Sequence, residues 1–508
     1  MRAISPELLA QLLPAEETAF SSPIPTQIVS SDEYLPAPQT ERQREVEARL
    51  KEIGTVMAER QGMTRRHFFQ TAAGLAASYL VMNQVYGRLF AVNEAEAATP
   101  EKAEERAATL KNQMIFDAHT HFLRDDPSPT LRDPTRPGGL MWQRALVTRL
   151  GWNKDLLGRE PTIDDLKFDN FFKEVYLDSD TKVALLTNAP SEAPSDWLLS
   201  QEQVFKTRDK INSEAGSRRM LAHYTITPGR SGWLDGIDRA IEVHKPDGWK
   251  GYTIGDIVLT NANGSAYKLD DEKLMYPFYE KAATAGIRNV CIHKGLFPLL
   301  AEVRQPGLAG HAAVGDVGRA AKDWPQLNFA IYHSAYRHLG GAPSDGIDEW
   351  EQRGRLSWLS DLAEIPAKYG VTNVYGDLGS IFAWTVIAQP RLAAAMLGTL
   401  IKGLGADHVI WGTDCVWTGS PQWQIEALRR LEIPEDMQKR HGFAPLGPAD
   451  GPVKNAILAE NGLRIFGYKK QTELAKSDRF ADMKTQYEHF GPARSNLRYG
   501  YVHKTTCR

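Results

Sequence analysis

Cysteine is scarce. Cys291, Cys415 and Cys507 are the only three in 508 residues, too few and too scattered for a disulfide framework or a Cys-rich zinc module. Charge of one sign is lacking as well: the formal net charge is −3, without the clustered Lys and Arg that nucleic-acid binding requires. No glycine-rich phosphate loop of the G-x-G-x-x-G or Walker kind follows an early strand, which counts against a nucleotide-binding doubly wound sheet. Long hydrophobic runs are missing too; the weakly apolar run Thr71 to Met82 is short for a membrane span. What the chain does have is apolar content, 42% hydrophobic against 24% charged. That is enough for a large buried core and excludes disorder or a collagen-like or coiled-coil architecture for most of its length. A length of this kind suggests about three domains, although a single α/β barrel with insertions reaches it alone.

The first hundred residues differ from the rest. Residues 1 to about 62 are rich in Pro, Glu, Gln and Ser, and Glu41 to Glu59 reads as a charged helix carrying Val46, Leu50 and Ile53. Thr64-Arg65-Arg66-His67-Phe68-Phe69-Gln70 follows, then the apolar run, then Ala95-Glu96-Ala97. The order resembles a twin-arginine export signal, with small residues where a signal peptidase reads. The bland reading is an amphipathic helix that begins after two arginines. The departure from the signal pattern is the long, acid-containing region ahead of the arginines; Met57 or Met63 would give a conventional short one. The export reading makes 1–97 a leader, places the protein in the periplasm or outside, and allows membrane attachment only through an uncleaved signal. Residues 1–97 hold 9 basic and 12 acidic residues, so the remainder is formally neutral.

From about residue 104 short β-rich runs alternate with helical stretches, as in repeated βα units. The runs are Met114–Phe122, Val183–Ala189, Met220–Pro228, Trp249–Gly255, Asn289–Gly295, Asn328–Ser334, Asn373–Gly379 and Val409–Asp414. Helices are predicted over Glu272–Ala285, Val314–Asp323, Ser357–Tyr369 and Val453–Phe466. Eight strands is the number a closed (β/α)8 TIM barrel requires, and the predicted barrel spans 104–467. The stretch from 468 to 508, charged and aromatic with Gly-Pro punctuation, is too short to fold alone and is expected to wrap the barrel or a partner subunit of a homo-oligomer.

Polar residues gather at the C-terminal ends of these runs, where a barrel carries its chemistry: His119 and His121, Asn188, His293, His333, Asp377 and Asp414. Side chains two apart on a strand point the same way, so His119 and His121 can present two imidazoles to one ion. Alone, such a pair is more often chance or core histidine. Here His293, His333 and Asp414 recur at strand ends where a bare core residue is normally aliphatic. The combination resembles the metal-dependent amidohydrolase superfamily, in its amidohydrolase-related branch that also holds aminocarboxymuconate semialdehyde decarboxylase-like enzymes. The resemblance runs from Met114 to Gly467. It rests on the His-x-His, the later histidines, Gly412-Thr413-Asp414 and the closing Glu460-Asn461-Gly462-Leu463-Arg464-Ile465-Phe466-Gly467.

That resemblance implies one divalent ion, zinc foremost, held by His119, His121, His293 and Asp414. It also implies Asp414 as proton carrier, and His333 as acid/base or oxyanion donor. Lys250, on the fourth strand, is where some relatives hold a second metal through a carboxylated lysine; the branch resembled here uses one metal, so Lys250 stays outside the ligand set. Weaker candidates for substrate contact are His223, Asp377, Arg337 with His338, and Arg124, each with a core, ligand-supporting or solvated-loop alternative. Cys415 adjoins Asp414 but points the other way, and Trp197, Trp384 and Trp417 read as pocket wall or core filling. About sixty residues separate the first two strands, and Leu123–Gly139 reads as a lid over the mouth. The expected activity is hydrolysis of a C–N or C–O bond (amide, ester or lactone) of a small molecule by metal-activated water. The alternatives are non-oxidative decarboxylation, favoured if Arg337 or Arg124 enters the pocket, and a non-catalytic exported metal-binding protein.

Overall fold

Eight short buried runs form the strands β1 (Phe116–Thr120), β2 (Val183–Leu186), β3 (Met220–Thr225), β4 (Gly248–Tyr252), β5 (Asn289–His293), β6 (Asn328–Tyr332), β7 (Val374–Asp377) and β8 (Val409–Ile410). The computed structural model describes residues 21–31, 37–126, 163–190, 195, 197–255, 266–297, 299–338, 344–475 and 477–503. The strands pair in parallel in the order β1 to β8. Backbone bonds then join the two ends. Ala118 N–H donates to the Trp411 carbonyl at 2.9 Å, Asp414 N–H to His119 at 2.8 Å and His121 N–H to Cys415 at 2.8 Å, with a parallel bridge between Thr120 and Cys415. The fold is the expected TIM barrel. Its strands read as apolar runs such as Val-Ala-Leu-Leu in β2 because both faces are covered, inside by core and outside by helices.

The predicted barrel helices form, trimmed at their N-terminal ends: Tyr276–Thr284, Val317–Asp323 and Leu359–Tyr369. The closing segment Pro452–Ile465 is helical with a wider turn over Ala456–Glu460.

The sequence separates 1–97 from the barrel, but packing does not. Helix α1 (Glu41–Arg60) begins at a capping box of Thr40 and Gln43, and α2 (Ala72–Tyr86) coincides with the apolar run. Val46, Leu50, Phe68, Phe69, Ala77, Tyr79, Val81 and Met82 all belong to one core cluster with barrel helices. Tyr79 Oη donates to the Trp423 carbonyl at 2.5 Å. The Leu89–Ala91 strip pairs with Arg430–Glu432 through bonds of 2.7 and 2.8 Å. A short helix Glu94–Ala98 buries Ala97, the expected cleavage residue. Helix α3 (Pro100–Leu110) then docks Arg106 on Glu426 of α4 (Gln422–Arg430) at 2.7 Å. The expected boundary at 97 thus falls within a run, 41–110, whose helices pack as a layer on the barrel. Among the described residues no helix is long and apolar enough to cross a membrane.

The C-terminal stretch packs along the barrel. Arg219 clasps Asp478 with bonds of 2.7 and 2.8 Å, and the N–H groups of Tyr499 and Gly500 both donate to the Trp417 carbonyl at 2.8 Å. Tyr501 then meets Ser30 through two bonds, at 2.8 and 2.7 Å. Residues 127–139 of the expected lid, and Cys507, lie outside the described residues.

Candidate metal centre

Strand β1 brings His119 and His121 onto one face, with their Nε2 atoms 3.2 Å apart. Asp414 Oδ1, just past β8, lies 3.4 Å from the first and 3.2 Å from the second. Ligand atoms about 2.0–2.1 Å from a tetrahedral ion are about 3.3 Å from one another, so this triangle has the edge lengths of a coordination shell. The donor atoms of His119, His333 and Asp414 also lie within 4.8 Å of each other. Burial, followed by the Lys250 charge, holds the His119 imidazole well below its ordinary pKa. The neutral ring is the form that binds a metal.

The surroundings aim these groups. Asp377 Oδ2 faces His119 Nδ1 at 3.3 Å, which puts the proton there and turns the Nε2 lone pair to the cluster. Ser380 donates from its hydroxyl to Asp414 Oδ2, leaving Oδ1 for the histidines. Asp117 receives the N–H of His119 at 3.1 Å and that of Thr413 at 3.0 Å, together with the Thr413 hydroxyl. It ties β1 to the chain beyond β8. Burial pushes the carboxyls of Asp117 and Asp377 up to about 7. Close approach also requires glycine here: a Cβ on Gly379 would overlap His119 Nδ1, and one on Gly412 would overlap Asp377 Oδ1. His333, Ser334 and Ala335 take left-handed φ of 59°, 45° and 52°, and Ser380 and Asp414 take 55° and 58°. For non-glycine residues this is uncommon backbone, of the kind that gathers at functional sites.

The expected residues divide as follows. His119, His121, Asp414 and His333 converge. His293 stands beside them, its ring 4.7 Å from that of His333 and stacked on Tyr252 at 5.0 Å. His333 Nδ1 lies 2.9 Å from the Gly379 carbonyl, which can only accept, so a neutral His333 offers a lone pair at Nε2. Donation to an oxyanion, expected from the sequence, would need a second proton. Asp377 is in place, as a partner of His119. His223 is buried on β3 with its ring 6.0 Å from Tyr332, and neither ring nitrogen has a hydrogen-bond partner among the described residues. Lys250 is buried with Nζ 3.7 Å from the Tyr332 ring centroid.

The two arginines make contacts of their own. Arg124 holds Asp126 through bonds of 2.9 and 3.0 Å and reaches the Ser195 carbonyl. Arg337 is exposed and stacks over Trp358 at 5.7 Å. Its neighbour His338 faces Glu349 at 3.3 Å. Asn188 braces its own loop by bonding Leu199. Cys415, Trp197, Trp384 and Trp417 are buried. Sequence reading missed Asp117, Ser380 and Gly379. Asp117 had a signal, since it shares the face of His119 and His121 at the same two-residue spacing; Ser380 and Gly379 had none.

Residues 226–468 match the family model described as amidohydrolase. From just past β3 through β8 to Tyr468, the chain is similar to that family. His119 and His121 lie ahead of the matched stretch. Among solved structures the chain is similar to an uncharacterised TIM-barrel protein from Bordetella bronchiseptica (14% identity, 70% of this chain and 99% of that one, TM-score 0.43). It is also similar to 5-carboxyvanillate decarboxylase from Sphingomonas paucimobilis (13%, 70% and 100%, 0.40). A third is 2,6-dihydroxybenzoate decarboxylase from Rhizobium (15%, 70% and 99%, 0.38). No curated protein matches the chain.

Proposed function

We propose that the protein is a metal-dependent hydrolase that cleaves a C–N or C–O bond of a small amide, ester or lactone. The observation that carries this reading is the convergence of His119 Nε2, His121 Nε2 and Asp414 Oδ1 at 3.2–3.4 Å. Imidazole nitrogen with one carboxylate oxygen suits Zn²⁺. His119, His121 and Asp414 would hold the ion, with His333 completing the set and His293 bordering it. When bound, such an ion polarises a substrate carbonyl and lowers the pKa of water to about 7. The protein's own share is positional. Asp377 and Ser380 fix the orientation of His119 and Asp414, and Asp414 takes a proton from the attacking water and returns it to the leaving group. Arg124 holds Asp126 and Arg337 lies over Trp358, which weakens the case for either as the cation that decarboxylation needs on the substrate carboxylate.

The test has two parts. Purified protein should contain close to one divalent ion per chain, lost in the His119→Ala, His121→Ala double variant. A panel of amides, lactones and aromatic carboxylates is then followed for acid and CO₂ release. Metal-dependent acid release supports hydrolysis; CO₂ release instead assigns the site to decarboxylation, and bound metal without turnover favours an accessory protein.

For location, Arg65 and Arg66 on a short surface helix support export by the twin-arginine route. The burial of Ala97 supports export without cleavage at that residue.

A further inference from the structure

A cavity of about 250 Å³ lies where the helical layer, helix α4 and the C-terminal stretch meet, and none of its lining residues belongs to the metal cluster. Phe69, Leu75 and Trp423 form its apolar wall, and Arg106, Arg430, Arg494 and Arg498 bring four guanidinium groups to it. Two of these are neutralised. Arg106 meets Glu426 at 2.7 Å, and Arg430 meets Glu96 at 2.8 Å and Glu426 at 3.2 Å. Of the acids lining the cavity, Glu426 is therefore taken, and Asp178 holds Lys173 at 2.6 Å. Glu104 is exposed.

Arg498 differs. It is 3% exposed, and among the described residues no carboxylate forms an ion pair with it. Its two terminal nitrogens donate to the carbonyls of Asn496 and Pro23, and its Nε has no partner. Burial pulls its pKa down to about 10. Arg494, at the same cavity, has among the described residues one ion pair, with Glu488 at 3.5 Å, and keeps 41% of its side chain exposed. The Glu174 carboxylate offsets part of that burial from a distance, but a buried guanidinium with no carboxylate in ion-pair contact is costly, and an anion in the adjoining space lowers that cost.

We propose that this cavity binds a small organic carboxylate, its charged end held by Arg498 and Arg494 and its apolar body against Phe69, Leu75 and Trp423. The volume lies below the usual range of about 300–1,000 Å³ for drug-sized pockets, which fits a ligand no larger than a substituted benzoate. Because α2, α4 and the C-terminal stretch all contribute, occupancy would clamp the helical layer onto the barrel and raise stability by mass action.

Benzoate is the probe, titrated by calorimetry into the full chain carrying His119→Ala and His121→Ala, so that the metal centre does not contribute. Saturable binding of one equivalent is expected, weakened about tenfold or more in Arg498→Met, as for a lost charge-assisted bond. Arg494→Ala should weaken it too, and Ala107→Trp, at an exposed lining position, should block it without touching the core. The proposal is overturned by binding that Arg494→Ala and Ala107→Trp leave intact, by benzamide binding as well as benzoate, or by no benzoate binding. Binding of inorganic phosphate in place of benzoate overturns the ligand class.

Discussion

Replacing Glu426 by glutamine tests how the helical layer is held to the barrel. Glu426 is buried on α4 and meets three guanidinium groups: Arg106 from the layer at 2.7 Å, Arg429 at 2.8 Å and Arg430 at 3.2 Å. Burial alone would raise its carboxyl pKa, but the three arginines outweigh it and hold the group down at about 2, against an ordinary value of 4.5. At roughly 1.4 kcal/mol per pKa unit, that gap is worth about 3 kcal/mol of folding stability at neutral pH. The folded pKa lies below the unfolded one, so this stabilisation is complete above about pH 4.5 and is lost as pH falls towards 2. Glutamine keeps the shape and removes the charge. Arg429 retains Asp180 at 2.6 Å and Arg430 retains Glu96 at 2.8 Å, but Arg106 is left only with Glu96 at 4.0 Å. Urea unfolding followed by tryptophan fluorescence should show Glu426→Gln less stable by about 3 kcal/mol at pH 7, within the range for breaking a buried pair. The difference should shrink steadily below pH 4.5. A loss under about 1 kcal/mol at pH 7, or one that does not shrink in acid, would refute the reasoning.

Three further outcomes are expected. Gly379→Ala forces a methyl into His119 Nδ1, so metal affinity measured by chelator competition should fall about 10- to 100-fold. Gly315→Ala, where a Cβ meets nothing within 4 Å, should leave it unchanged. Asp414→Asn should abolish turnover while the circular dichroism spectrum stays native; full activity would remove Asp414 from the mechanism. Deleting residues 1–97 should give insoluble or molten protein, because it strips Phe68, Phe69, Tyr79, Val81 and Met82 from the shared core; a soluble, cooperatively unfolding product would show that the layer is dispensable.

The barrel was legible because its signals are local. Most strands are short apolar runs with a polar residue at or just past the C-terminal end, and the starts of β2 at Val183 and β5 at Asn289 can be read from those residues, while their ends fall earlier than the runs suggest. His119 and His121 were legible for the same reason, since the two-residue period of a strand fixes their common face. The remainder depends on partners far away in sequence. Nothing near Arg124 announces that Asp126 and Ser195 take up its guanidinium, nor that Arg337 stacks on Trp358. The Ala72–Tyr86 helix shows the limit most plainly. A modest apolar run after two arginines has one composition whether it enters an export channel or packs against α4, and only its neighbours distinguish the two. The setting of His333 likewise depends on backbone just past β6, where His333, Ser334 and Ala335 in succession leave the ordinary right-handed region.

Those three residues have a consequence for how the protein could change. Left-handed backbone costs about 1–2 kcal/mol for each residue that carries a Cβ, so glycine at position 334 or 335 is an easy route to a more stable fold. The same exchange would widen the range of directions open to the neighbouring imidazole. Stability and aim are set against each other at that turn, and random drift towards a sturdier protein would tend to blunt its chemistry first at this point.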